Sequence, residues 1–538
     1  MSKKYLNISG GYLKPNVAGK KYLKDSVTNT EGDVYGFYPN KLSTITIAAA
    51  MARLSRNFND MRITILSEFA EDQGKDDSLL RRVITAFGDD SVQQLVGQHL
   101  VIERASNLLT KQIEWGRLAA YLEQSTRYIY FDEKDSNGRY KYYTPSNLDK
   151  KGRSKYDKEM DAIFDNYSDL VHKLTDYIID NSDEPEEGRT GAWRAAVRAQ
   201  ACDAIRPTLP VATQSTVGVF ASAQAIENMV MRLRASESLE ARTVGDQILA
   251  EMRKVIPTFL ERADKPERGG ATSAYLSTNA KKTEELTEQL ITKKHSSDQK
   301  SVNLYSVHPQ NELDIVPDIL YEHTNLSRDE LKSETEKLSS DQKKQVIDAY
   351  IGERLNRRHR PGRALENIQY NFDLMCDYGI FRDLQRHRMV NDLRWQKLSV
   401  NFGYEIPKLV TDAGLENRFK HSFELSEALY KYLNDAGYEY ESQYAVLMGH
   451  NMRWRVGMNA RAAFHFLELR TTPHGHPGYR KLCKQMYDEI AKVHPHIASH
   501  MIFINKDEDP KLTRLAAERA TEYKLKMLDK KETKEDSF

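Results

Sequence analysis

The sequence predicts an α/β fold made from two diverged copies of one unit. Three observations carry that prediction. Ile368, Tyr370, Phe372 and Leu374 alternate with Gln369, Asn371 and Asp373, the period of a strand. Elsewhere apolar residues recur at three- and four-residue steps, as in Val244, Ile248, Leu249, Met252, Val255, Ile256 and Phe259, the stripe of an amphipathic helix. Finally, Glu251-Met252-Arg253-Lys254-Val255-Ile256-Pro257 is similar to Glu489-Ile490-Ala491-Lys492-Val493-His494-Pro495. A Leu-Arg pair, Leu233-Arg234 or Leu469-Arg470, precedes each proline, and an apolar helix precedes each pair.

The chain divides accordingly into a polar arm (1–42), a first copy (43–263), a linker (264–300), a second copy (301–507) and a charged tail (508–538). Its 538 residues exceed what one core supports, so several domains are expected. Residues are 40% hydrophobic and 29% charged, and the net charge is +1, which gives no global electrostatic case for a nucleic-acid partner. Cys202, Cys376 and Cys483 are widely spaced and form neither a disulfide framework nor a ligand pair; they are expected to be buried thiols. The opening MSKKYLNISGGYLKPN lacks the apolar core of a signal peptide, and no apolar run reaches the roughly 18 residues of a membrane span. A cytoplasmic location is expected, with no membrane partner and no metal.

In chain order, the arm is followed by a helix carrying Ile47, Met51, Leu54 and Phe58. A second helical segment holds Leu79, Leu80, Val83 and Ile84, and Phe87–Ser91 reads as a turn. Val92–Glu114 mixes strand and helix signals. Asp132–Lys158, rich in Asp, Lys, Asn, Gly and Tyr, reads as an exposed insertion, and helices dominate from Asp161 to Glu261. Pro257 interrupts or kinks the last of them. Pro266, Gly269-Gly270 and a Lys/Glu/Ser-rich run mark the linker. Beyond it come a short strand at Val302–Val307, the alternating strand, and a turn at Asp377-Tyr378-Gly379 leading into a short helix with Ile380, Phe381 and Leu384. One more helix is read from Val456, Ala460, Ala463, Phe464 and Leu467, and the next from Tyr479, Leu482, Cys483, Met486 and Ile490.

Two stretches carry the chemistry. Trp115–Tyr128 reads WGRLAAYLEQSTRY, and if it is extended Glu123, Ser125 and Arg127 share one face. That face offers an acceptor, a hydroxyl and a guanidinium fork, suited to a ligand with a phosphate and a ring amide. A solvated strand with a Glu123–Arg127 ion pair is the plainer reading of the same residues. Far downstream, Arg386-His387-Arg388 would bind phosphate or polarise a ring oxygen, or form a surface charge run.

Together these stretches resemble the flavin-dependent thymidylate synthases. The signature of that family is Arg-His-Arg, two residues, Ser, one residue, Asn-Glu, one residue, Ser, one residue, Arg-Tyr. The first copy has Trp115-Gly116-Arg117 in place of Arg-His-Arg but keeps Glu123, Ser125, Arg127 and Tyr128. The second copy keeps Arg386-His387-Arg388 and has lost the rest. Other family positions divide the same way. The nucleotide-site Gln is Gln112 in the first copy and Asp383 in the second, and an Arg before Leu-Pro is Arg206 against Gln443. The flavin-side Asn-Ala-Arg is Asn459-Ala460-Arg461 against Ser222-Ala223-Gln224, and the flavin-side Glu is Glu366 against Gln94.

The resemblance implies two copies, each a mainly antiparallel sheet flanked by helices, one specialised for nucleotide and one for flavin. It implies reductive methylation of dUMP to dTMP with FAD as cofactor and methylenetetrahydrofolate and NADPH as co-substrates. Gln112, Arg117, Glu123, Ser125, Arg127, Arg206 and Arg234 would serve the nucleotide. Glu366, Arg386, His387, Arg388, Asn459, Arg461 and Arg470 would serve the flavin. Ser125 and Arg127 would lie near Arg386 and His387, in a homodimer imitating a tetramer. Another pyrimidine acceptor, or a non-catalytic nucleotide-binding descendant, remains as the alternative.

Overall fold

The computed structural model describes residues 4–38, 40–54, 57–70, 91–293, 296, 298, 300–508, 512 and 514–535. The expected helix at Leu79–Ile84 and the turn from Phe87 lie outside the described residues. The chain forms two compact units. The first is Met1–Glu103, Gly116–Glu123 and Thr216–Thr292; the second is Arg104–Trp115, Gln124–Ser215 and Lys293–Phe538. Residues 43–263 thus contribute to both.

The first unit begins with a hairpin, Leu6–Ser9 against Tyr12–Pro15. Gly10 and Gly11 link its strands at φ +59° and +82°, the left-handed conformations of a two-residue turn. The helix Val17–Ser26 follows, capped by the Asn16 side chain. Ser43 caps the helix Thr44–Ala52. That helix stops short of the expected run: Leu54 is exposed and Phe58 fully so. An Asx turn, with Asn57 accepting from the Asn59 amide, redirects the chain there.

A three-stranded sheet has the order Gly97–Ser106, Gln214–Ser222, Ala119–Glu123, and the last two strands are antiparallel. Val217, Val219 and Ala221 are buried at alternate positions. The helices Ala223–Arg234 and Leu239–Val255 pack against each other, and Pro257 opens a new short helix, Pro257–Leu260. The expected linker contains a helix, Gly269–Leu290, of which only Gly269 and Ser273 are buried. Its Ala, Lys and Glu residues favour helix once Pro266 is passed.

The second unit holds a four-stranded antiparallel sheet, in the order Val302–His308, Gln369–Asp377, Asn451–Asn459, Asp392–Trp395. Tyr370, Phe372 and Leu374 are its buried face, as the alternation predicts. Val456 belongs to this sheet, so the following helix starts at Ala460 with Asn459 as its cap.

The expected insertion at Asp132–Lys158 proves to be partly core: Tyr140, Tyr142, Leu148 and Tyr156 are all buried. Tyr140 stacks on Phe164 at 5.0 Å and donates to Asp165 at 2.6 Å. Its polar composition misled because the rings bury while the hydroxyls find carboxylates. The 31-residue helix Lys150–Asp180 grows out of this segment and buries one face on Glu416–Asp435 and Gly191–Ile205.

Two loops of like position in the copies run antiparallel within this unit. The Val211 amide donates to Val446 O at 2.8 Å, Met448 to Leu209 O at 2.8 Å and Gly449 to Pro207 O at 2.8 Å. This pairing brings the Arg206 loop beside the helix that ends at Arg386.

Candidate functional site: a buried guanidinium cluster

The site grows from the helix Tyr378–Gln385. Asp377 caps it, accepting from the Ile380 amide at 2.7 Å. The helix buries Arg382 and Asp383 and delivers Arg386 and His387 just past its end. Asp383 accepts from Arg206 at 2.9 Å and lies 3.6 Å from Arg386. Burial would raise the Asp383 carboxyl, but Arg206, Arg127 and Arg386 hold it far below the usual range. Burial does prevail at Asp377, pushed up to about 6 despite Arg206.

Arg127 meets Asp203 with two 2.7 Å hydrogen bonds, side chains 11% and 8% exposed. Its Nη1 lies 3.5 Å from the Tyr479 hydroxyl. The Arg127 and Arg470 guanidiniums flank the Tyr479 ring at 5.7 and 5.4 Å from its centroid. Arg470 Nε donates to His387 Nε2 at 2.7 Å, and the His387 ring rests on Phe466 at 4.2 Å. The strands and helices therefore join Arg127, Tyr479, Arg470 and His387 in one contiguous chain of contacts.

Both histidines here are neutral. Burial, then Arg470, His465 and Arg386, hold His387 well below its ordinary value. Accepting at Nε2 leaves Nδ1 as its N–H donor. Burial and Arg206 hold His476 at about 4, against the pull of Asp203. Its Nδ1 accepts from Gly478 at 3.0 Å and its Nε2 faces Asp203 O at 3.3 Å. Four guanidiniums, Arg127, Arg206, Arg386 and Arg470, thus stand with three carboxylates, Asp203, Asp377 and Asp383, among the described residues. Asp203, Asp377 and His476 also line a cleft of about 1800 Å³, whose lining does not include Arg127, Arg386, His387, Arg470 or Tyr479.

Other expected site residues lie differently. The stretch to Arg127 is not one extended face: its strand ends at Glu123, and Arg127 sits in a turn where Ser125 Oγ accepts its amide at 3.1 Å. The ion-pair partner of Arg127 is Asp203, not Glu123. Gln112 donates to the Tyr440 hydroxyl at 3.1 Å. Arg117, Glu123 and Arg234 belong to the first unit, where Arg117 is exposed and Arg234 pairs with Asp246 at 2.9 Å. Asn459 is a helix cap. Arg461 donates to Pro361 O at 2.8 Å and lies 3.4 Å from Glu366, which also pairs with Arg363. Arg388 is exposed. All three cysteines are buried thiols, and burial pushes Cys202 and Cys483 up to about 12.

Asp203, His476 and the ring role of Tyr479 escape a reading of the sequence. Asp203 carries a usable signal, a lone carboxylate among Ala199, Ala201, Ala204 and Ile205, three residues before Arg206. Tyr479 reads only as part of an apolar helix stripe.

The family model for thymidylate synthase complementing protein matches residues 39–258 and 303–496. The chain belongs to this family. The two matched stretches agree with a diverged tandem form. An UPF0159 protein of Chlamydia pneumoniae is 31% identical over 497 residues, 88% of this chain and 92% of that one. A flavin-dependent thymidylate synthase of Sulfurisphaera tokodaii is 30% identical over 146 residues, 25% of this chain and 54% of that one. Among solved structures, a UMP/dUMP methylase from Streptomyces cacaoi bound with 5-Br dUMP covers 37% of this chain and 93% of that one. Its identity is 18% and its TM-score 0.30, too slight a likeness to bear on function. Among the described residues, no helix of this family member is long and apolar enough to cross a membrane.

Proposed function

We propose that the chain is a thymidylate synthase of the flavin-dependent type, converting dUMP to dTMP with methylenetetrahydrofolate and NADPH, and that it works as a homodimer. One observation carries the reading. The guanidinium cluster around Tyr479 draws Arg127 and Arg206 from the first copy and Arg386, His387 and Arg470 from the second, with cations in excess.

Arg127 and Arg206 are buried and paired, whereas the partly buried Arg386 and Arg470 are the cations in excess, and these favour an anion. The donor set at the His387 end fits a flavin diphosphate: guanidinium forks of Arg386 and Arg470 and a neutral imidazole with Nδ1–H to donate. When bound, a flavin would supply the redox and one-carbon transfer chemistry of the reaction. Every other task is positional. Arg386 and Arg470 would hold phosphate oxygens, each charged contact contributing about 1.5–3 kcal/mol. Asp203 and Asp383 fix the forks of Arg127 and Arg206, so their fields are preorganised toward a uracil or phosphate oxygen. No side-chain nucleophile is required, consistent with three inert thiols.

The pairing of Arg127 and Arg206 with carboxylates also favours a second reading, a nucleotide-binding descendant without catalysis or with another pyrimidine acceptor. Flavin absorbance of the purified protein, a melting rise with dUMP, and dTMP formation distinguish the two. All three signals are expected. Nucleotide binding without flavin or product would favour the second reading, and no ligand response at all would overturn both.

A further inference from the structure

Asp348, His496 and His500 form a cluster that the proposed reaction does not use. Asp348 lies on the helix Ser340–Ile351. His496 and His500 are four residues apart, on the short helix Pro495–Ser499 and at its C-cap. The Nε2 atoms of both histidines are 2.8 Å from the same oxygen, Asp348 Oδ1. All three atoms lie within 4.8 Å of one another. The two rings meet edge-on, with centroids 5.3 Å apart.

We propose that these three side chains bind one divalent first-row transition ion, zinc being the best match. Two imidazole nitrogens and one carboxylate oxygen are a common zinc donor set, with bonds of about 2.0–2.2 Å. Tetrahedral bonds of that length put donor atoms roughly 3.3–3.5 Å apart, so shifts of under an ångström would receive the ion.

Hydrogen bonding alone accounts poorly for the cluster. His500 makes an aligned hydrogen bond to Asp348 Oδ1. His496 Nε2 is buried and makes no aligned hydrogen bond among the described residues, although that oxygen is 2.8 Å away. A donor nitrogen that is close to the carboxylate oxygen but not aimed at it suits shared ligation of an ion better than a hydrogen bond.

The backbone behind both histidines is fixed. Glu312 accepts the His496 and Ile497 amides at 2.9 and 2.7 Å. Arg354, held by two 2.6 Å bonds to buried Glu468, donates to His500 O at 3.0 Å. Such outer support holds ligands in place before the ion arrives. Asp348 is half-exposed, which leaves a coordination position open to water. The bound ion would staple the Ser340–Ile351 helix to the Pro495–Ser499 turn.

The test is calorimetric titration of Zn²⁺ into chelator-treated full-length protein, beside the variants Asp348→Asn and His500→Gln. One saturable equivalent is expected, weakened about tenfold or more in each variant. Co²⁺ added to the unaltered protein should give the visible absorption of a site with nitrogen ligands, a readout independent of variant folding. Absence of a saturable equivalent, or variants that bind as the parent does, would overturn the proposal. Asp348 would then be only an acceptor for its neighbouring imidazoles.

Discussion

At the scale of single residues, the cluster is governed by the cost of burying charge. Removing one partner of a buried pair strands the other, at about 3–5 kcal/mol. Arg127→Met should therefore destabilise the protein by that order in urea unfolding. Arg127→Met combined with Asp203→Leu should cost less than Arg127→Met alone. A single-variant cost below about 1 kcal/mol would refute the account of this pair.

His476 gives a pH signature. Its folded value of about 4 is below the ordinary 6.5, so the unfolded chain takes up the proton first. Its stability contribution is lost as pH falls from about 6.5 toward about 4. Asp377 is shifted the other way, to about 6 from 3.8, so its contribution is present at low pH and lost as pH rises through 6. His476→Asn keeps an N-capping side chain but cannot titrate. Between pH 6.5 and 4.5 its melting temperature should fall less than the parent's; parallel curves would contradict the assignment.

Arg127, Arg206, Arg386, His387 and Arg470 were legible in the sequence because family motifs mark them. The pairing roles of Asp203 and Asp383 were not. Asp203 and Tyr479 are recognisable as site residues only once distant stretches of chain meet.

At the scale of elements, the helix Tyr378–Gln385 sets the geometry, because it positions Asp383, Arg386 and His387 together. Asp377→Ala should cost about 1 kcal/mol through the lost cap, whereas Asp377→Asn should be nearly neutral. Equal costs would mean that the cap is not what Asp377 supplies. Phe164→Ala, in the core beneath the Tyr140 segment, should cost about 3–5 kcal/mol by chemical unfolding. A small loss there would restore the view of Asp132–Lys158 as a surface insertion.

Strict alternation made the Gln369–Asp377 strand readable, and the Asp377-Tyr378-Gly379 turn marked the helix start. Composition failed where tyrosines carry their own polarity into the core, and where a charge-rich stretch, Gly269–Leu290, is helical without being buried. Helix spacing failed at Phe58, where a local Asx turn overrides periodicity. The i, i+4 spacing of His496 and His500 was visible in the sequence, but nothing there pointed to Asp348.

At the scale of the whole molecule, neither copy carries a complete family signature, and the second unit gathers surviving residues of both around Tyr479. Replacing Arg470 with Ala should abolish a dUMP- or FAD-dependent melting shift while leaving the ligand-free melting temperature close to the parent's, since among the described residues Arg470 contacts His387 and Tyr479 and has no carboxylate partner to strand. The most direct measurement is a crystal structure of the protein soaked with dUMP and FAD. Both ligands are expected in the second unit, with phosphate oxygens on Arg386 or Arg470 and the nucleotide beside Arg127 and Tyr479. Ligands bound only elsewhere, or a cluster that takes up neither, would contradict this placement.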